Sequence, residues 1–129
     1  MNTPDDLKIS KTDEWVKVEN DSALVGITDY AQDQLSDIVY VEFLKESGDP
    51  IERGEVIATI ESVKAAADVN CPISGKVIEV NENLLESPEI LNEDPYKNGW
   101  IYNIEMSKIT ELDELFNSNE YDDYCKSRH

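Results

Sequence analysis

The sequence is short of the residues that carry most enzyme chemistry. Its single histidine is His129, the last of 129 residues. No interior imidazole is therefore available for a Ser-His-Asp or Cys-His relay, and the commonest zinc ligand is missing. Two cysteines, Cys71 and Cys125, stand far apart and form no CxxC pair. Two free thiols in a reducing compartment are the expected state. Basic residues are scarce, with 11 Lys and Arg against 29 Asp and Glu, for a formal charge of −18. Such a surface repels phosphate backbones and anionic lipid headgroups, so neither nucleic acid nor membrane is an expected partner. Its acidity keeps a small protein dispersed or steers it toward basic docking faces. No apolar run is long enough to span a bilayer. The stretch 1–6 has neither the basic and apolar segments of a secretory signal nor the Arg-rich character of a transit peptide. The expected location is the cytoplasm, or the mitochondrial matrix for a mature eukaryotic form.

What is present is a succession of short β-patterned runs. Hydrophobic residues make up 40% of the chain, enough for one core but not two, so one domain over residues 1–129 is expected. Strands are expected at Glu14–Asn20, Ala23–Gly26, Ile38–Phe43, Val56–Ile60, Ala67–Asn70, Lys76–Val80 and Trp100–Met106. Turns fall at Asn20-Asp21-Ser22, Gly48-Asp49-Pro50, Arg53-Gly54-Glu55 and Pro72–Gly75. Thr28 is a good N-cap for a short helix through Leu35, within about residues 28–36, with Asp29 in its first turn. A looser stretch runs from Asn81 to Tyr96, broken by Pro88 and Pro95.

The C-terminal segment, about 110–125, reads as helical. Thr110 and Asp113 suit a capping-box variant, with Leu112, Leu115 and Phe116 on one face. A second short helix started by Ser118 carries Tyr121, Tyr124 and Cys125 on one side, which makes Cys125 a buried small hydrophobe. The run Ile38–Phe43, Gly48–Gly54, Val56–Ile60 is echoed by Lys76–Val80, Asn81–Gly99, Trp100–Glu105. The fold class is therefore mainly β, a flattened barrel or sandwich of two units related by a pseudo-twofold, with short helices.

The segment Ile60-Glu61-Ser62-Val63-Lys64-Ala65-Ala66-Ala67-Asp68 lies between two strand-like runs and is expected to form a hairpin tip. A lysine there is open to a modifying enzyme. Exposed turn lysines are common, however, so spacing alone does not mark Lys64. The surrounding sequence does. Glu61-Ser62-Val63-Lys64-Ala65 resembles the lipoylation hairpin of glycine cleavage H proteins. Glu14-Trp15-Val16, Val25-Gly26-Ile27-Thr28-Asp29-Tyr30-Ala31-Gln32 and Pro72-Ile73-Ser74-Gly75 are similar to that family's motifs in the same order. So are Val77-Ile78-Glu79-Val80-Asn81, Asn92-Glu93-Asp94-Pro95-Tyr96 and Gly99-Trp100. The resemblance runs from about Leu7 to Tyr124. A biotin carrier would show Met-Lys-Met at the tip, and Val63-Lys64-Ala65 is not that.

The resemblance implies a non-catalytic carrier with lipoic acid amide-linked to Lys64 Nζ, in a hairpin recognised through Glu61, Ser62, Val63 and Ala65. It implies three working partners: a pyridoxal-phosphate glycine decarboxylase, a tetrahydrofolate-dependent aminomethyltransferase and a flavin dihydrolipoyl dehydrogenase. A lipoate ligase or lipoyl transferase would attach the arm. The carrier itself is expected to be a monomer. An aminomethyl group held on a lipoyl sulfur collapses when its nitrogen lone pair expels thiolate. A cleft that keeps the nitrogen protonated beside a carboxylate slows that loss. By position in the matching motifs, Glu14 and Asp68 are the expected carboxylates, with Thr12 as a hydroxyl neighbour.

Four positions depart from the family pattern. Asp13 replaces the histidine of His-Glu-Trp and adds a negative charge beside the expected cleft. Ser36 stands where glycine is common and Leu44 where proline is, while Cys71 occupies a site usually small or polar. Two other readings share the fold: a relay passing lipoyl groups to other complexes, and an unmodified acidic interaction module. An intact Ser62-Val63-Lys64-Ala65 tip speaks against the second.

Overall fold

Two antiparallel sheets frame the computed structural model, which describes residues 3–128. His129 lies outside the described residues. One sheet contains six strands in the order β1 (Lys8–Ile9), β2 (Glu14–Glu19), β3 (Ser22–Ile27), β9 (Tyr102–Met106), β8 (Gly75–Val80), β5 (Pro50–Ile51). The other contains β4 (Ile38–Phe43), β6 (Val56–Ser62) and β7 (Ala66–Asn70), with β6 central. The mainly β, sandwich-like architecture expected from the sequence is the one observed. The two echoed segments fall in different sheets, as the antiparallel pairs β4–β6 and β8–β9. Each pair has a register shift in its first strand, between Ile38 and Tyr40 and between Val77 and Glu79.

Local chemistry explains the turns and caps. The β2–β3 hairpin closes at Asn20, whose φ of +60° is one that asparagine tolerates better than most residues. Trp15 pairs with Gly26 across it, and a Cβ at Gly26 would meet the indole at 2.6 Å, so the glycine makes room for the ring. Helix α1 (Asp29–Leu35) begins at Thr28, whose hydroxyl accepts the Ala31 N–H at 3.2 Å, with Asp29 in the first turn. The main core lies between the sheets, where Val41, Ile57 and Ile60 are fully buried with Val25, Val77 and Ile104. A second cluster of Leu7, Ile9, Trp15, Tyr121 and Cys125 packs helix α4 (Ser118–Ser127) on the outer end of the large sheet.

Several local expectations need correction. β1 and β5 were not anticipated, since two residues carry no readable alternation; Pro50 opens an edge strand, where its missing N–H is tolerated. The loose stretch 81–96 contains two single-turn helices, α2 (Asn83–Glu86) and α3 (Ile90–Glu93). Strand β9 starts at Tyr102, not Trp100. Residues Ile109–Glu114 form a 3-10 helix with no side-chain cap, so the Thr110–Asp113 capping box does not form. In that tighter winding, residues three apart eclipse. Leu112 and Leu115 face the main core, whereas Phe116 bridges to Ile9 and joins the second cluster. Helix α4 is capped by Asn117 rather than Ser118, in a reciprocal capping box with Glu120. Cys125 is buried, as expected, and both thiols are free.

Candidate functional site: a hairpin tip and the cleft beside it

Strands β6 and β7 pair Glu61 with Ala66 and Thr59 with Asp68, which leaves Val63-Lys64-Ala65 as the tip. Ser62 sets its shape. The Ser62 N–H donates to Ala65 O at 2.7 Å, and the Ser62 hydroxyl accepts the Ala65 N–H at 3.1 Å. The Val63 N–H donates to Asp37 O at 3.0 Å, tying the tip to the start of β4. Ser62 is thus buried while its neighbours Glu61, Val63, Lys64 and Ala65 are exposed, Val63 to 74%. Lys64 takes part in none of the ion pairs among the described residues. Its amine stands clear on a turn whose backbone is fixed.

The structure brings Thr12, Glu14 and Asp68 together around a cleft of about 180 Å³ whose floor includes Ile27 and Ile60. Glu14 is 1% exposed. Its Oε1 accepts from the Ser10 hydroxyl at 2.6 Å and from the Thr12 hydroxyl, and its Oε2 accepts the Asn70 N–H at 3.1 Å. Burial outweighs these three bonds and, with the nearby charge of Asp13, pushes the Glu14 carboxyl up to about 7. Asp68, by contrast, is exposed on β7. A second cleft of about 560 Å³ opens on the other side of Glu14, toward Arg53, Asn70 and Leu115. A larger groove of about 780 Å³, between Phe43, Ile78 and Trp100, is lined by motif residues such as Asn81 and Trp100 but by none of the candidate site residues. The Cys71 thiol borders the second cleft, but burial pushes it up to about 12, so it stays protonated.

Sequence reasoning missed two partners of Glu14. Ser10 had a signal, the alternation Ser10-x-Thr12-x-Glu14 before a strand, in which hydroxyls fold back on a following carboxylate. Asn70 had none, because it contributes only its backbone. Among the described residues, no group of three or more His, Cys, Asp or Glu is arranged to hold a metal ion.

A lone lysine on a rigid hairpin tip of a two-sheet β fold, beside a cleft with one buried carboxylate, has the architecture of a tethered-arm carrier. The glycine cleavage H-protein family model matches residues 7–128. The glycine cleavage system H protein of Halothermothrix orenii is 49% identical over 126 residues, covering 98% of both chains. That of Thermotoga maritima is 51% identical over 118 residues, 92% of this chain and 94% of the relative. The crystal structure of a glycine cleavage system H protein from Mycobacterium marinum superposes with a TM-score of 0.85 at 28% identity, covering 98% of each chain. The chain belongs to the glycine cleavage H-protein family, whose members are non-catalytic carriers of a lipoic acid attached to a lysine. Its partners are the other components of the glycine cleavage system. No described helix is long and apolar enough to cross a membrane.

Proposed function

We propose that Lys64 is the lipoyl attachment site and that the cleft at Glu14 receives the aminomethyl group carried by the arm. The observation that supports this reading best is the Asn70–Glu14 hydrogen bond, which joins the hairpin bearing Lys64 to a buried carboxylate. Lys64 would hold the lipoyl group, whose dithiolane would supply a reducible disulfide: one sulfur to carry the aminomethyl group left when glycine loses carbon dioxide, and a dithiol for the dihydrolipoyl dehydrogenase to reoxidise once the aminomethyltransferase has removed that group.

Each side chain then has a task. Lys64 gives up its charge and becomes a tether. Glu14 is the acceptor for a cationic nitrogen, oriented by the Ser10 and Thr12 hydroxyls and by the Asn70 N–H. Around it the apolar walls limit water, which strengthens a charge-assisted hydrogen bond. Asp68 follows Lys64 by four residues, across the tip and onto β7, so the two are at most roughly 13 Å apart at the rise of a strand, a span that a lysyl side chain extended by a lipoyl chain covers. It supplies a second carboxylate at the cleft. Glu61, Ser62, Val63 and Ala65 form the turn that a lipoate ligase or lipoyl transferase reads. Residues 1–129 act as one carrier domain, working as a monomer in the cytoplasm so that one arm reaches several enzymes.

The test is intact and peptide mass spectrometry after incubation with lipoate ligase, ATP and lipoate, with Lys64→Arg as control. One lipoyl adduct on Lys64, absent from the control, is the expected result. A folded chain left unmodified by an active ligase refutes it. Carrier activity with a decarboxylase, aminomethyltransferase and dihydrolipoyl dehydrogenase from one organism then separates glycine cleavage from service as a lipoyl relay.

A further inference from the structure

Asp13 sits between two residues of the cleft, Thr12 and Glu14, and itself borders the smaller opening. Its backbone takes φ +74°, uncommon for a residue other than glycine and held only where surrounding contacts enforce it. Hydrogen bonds from three directions do so here. Asp13 N–H donates to Ser10 O at 3.2 Å and Asp13 O accepts the Thr28 N–H at 3.0 Å. The carboxylate reaches away from Glu14 to the opposite element: Oδ1 accepts from Arg128 Nη2 at 2.7 Å, and Oδ2 accepts from Arg128 Nη1 at 3.2 Å. Oδ1 also accepts the Tyr121 hydroxyl at 2.7 Å, and that hydroxyl lies 2.7 Å from the Thr28 hydroxyl that caps α1.

Arg128 is equally fixed. Its guanidinium lies 4.0 Å from the ring centre of Tyr30 and 4.3 Å from that of Tyr124, an arrangement that attracts a cation to both rings. Its Nη2 also donates to Cys125 Sγ at 3.3 Å. The Arg128–Asp13 pair is largely withdrawn from solvent, with 23% and 17% of the two side chains exposed. A planar, bidentate fork stacked between two rings aims Asp13 in a way that a surface ion pair does not.

We propose that Arg128 is a positioning residue for the cleft, clamping Asp13 so that the Ser10–Glu14 loop keeps its shape and offsetting part of the charge that Asp13 adds beside Glu14. In the family pattern a histidine precedes the cleft glutamate; here the acid that replaces it is matched by an arginine at the end of α4. The consequence for function rests on the reading of the Glu14 cleft given above. The other charged groups facing Glu14 are Asp68 across the smaller cleft, and Lys11, Arg53 and Glu114 around the larger. Arg53 is engaged by Glu114 at 2.7 Å. Arg128 is therefore the cation committed to Asp13.

The test is a titration of Glu14 by carbon NMR of the side-chain carboxyl in the full unmodified chain. The variants are Arg128→Ala, Arg128→Lys, Asp13→Asn and the double variant Asp13→Asn with Arg128→Ala. Arg128→Ala leaves the Asp13 charge unopposed, so the Glu14 midpoint moves up by half a unit or more, roughly threefold in proton affinity. The double variant returns it to or below the parent value, and Arg128→Lys, which keeps charge without the fork, falls between. An unmoved midpoint in Arg128→Ala overturns the proposal, as does a shift that persists in the double variant. A merely structural role would lower the melting temperature and leave these midpoints in place. The titration needs no lipoyl arm, so its failure leaves the carrier reading standing. Conversely, a Glu14→Gln carrier that keeps its aminomethyl group as long as the parent does would sink the cleft reading alone.

Discussion

The Asn70 N–H donates to Glu14 Oε2 at 3.1 Å, linking the last residue of the arm-bearing hairpin to the first residue of β2. These residues are 56 apart in sequence and belong to different sheets. The bond ties the cleft carboxylate to the far end of the strand that leads away from the lysine tip. A change at Glu14 is therefore expected to be felt in pH dependence and in β7.

The pH dependence has a definite sign. Glu14 titrates near its ordinary value of 4.5 when unfolded and at about 7 when folded. A raised folded value means that the native state binds the proton more tightly. The stabilisation this proton lends is full below about pH 4.5 and is lost as pH climbs through about 7, amounting to about 3 kcal/mol. Chemical denaturation of the parent and of Glu14→Gln across this window should show the parent losing stability relative to the variant. A constant difference between the two would show that burial does not hold the proton on Glu14.

At the tip, Ser62→Ala removes the hydroxyl that accepts the Ala65 N–H. The expected cost is about 1 kcal/mol, concentrated in the turn. Amide exchange at Val63, Lys64 and Ala65 should quicken, and lipoylation of Lys64 should slow several-fold, since the ligase meets a less ordered turn. Unchanged exchange at these amides would remove Ser62 from its role in shaping the tip.

What could be read from the sequence follows the reach of each signal. Alternation carried β8, because a half-buried strand writes its two faces into successive residues, while β-branched and aromatic enrichment carried β4. Thr28 was readable as a cap because the cap bond lies within three residues of it. The two-residue strands β1 and β5 were not, and neither were the single-turn helices of 81–96, which are too short to show a period. The site divides the same way. Motifs named Lys64, Glu14, Asp68 and Thr12, and the last three do line one cleft. The acidic substitution at Asp13 was visible too. Its arginine partner was not, because residues 115 apart in sequence meet only through the docking of α4 on the large sheet.

Ser36 gives a test of stored strain. It takes φ +64° with ψ −145°, a region adopted almost only by glycine. Asn92 holds the bend in place: its Nδ2 donates to Ser36 O at 2.8 Å, and its Oδ1 accepts the Ile38 N–H at 2.9 Å. Ser36→Gly is expected to raise stability by about 1 kcal/mol, the relief of strain exceeding the added entropy of the unfolded chain. A lower denaturation midpoint would place the strain elsewhere.

Gly75 and Gly48 separate two reasons for keeping glycine. At Gly75 a Cβ would lie 2.0 Å from Glu105 O, a backbone atom of the neighbouring strand β9. It cannot retreat, because β8 is held by β9 on one side and by β5 on the other, with Gly75 paired to Met106 and to Ile51. At Gly48 nothing lies within 4 Å of an added Cβ, and only the φ of +96° opposes a side chain. Gly48→Ala should therefore cost about 1–2 kcal/mol, the usual penalty of a left-handed backbone. Gly75→Ala must spread two strands at the edge of the core and should cost more than about 3 kcal/mol, beyond the range of most single substitutions. Urea denaturation of the two variants gives the ordering directly. If Gly48→Ala proves the more damaging, the close approach of β8 and β9 is softer than the geometry requires, and conformational preference governs both sites.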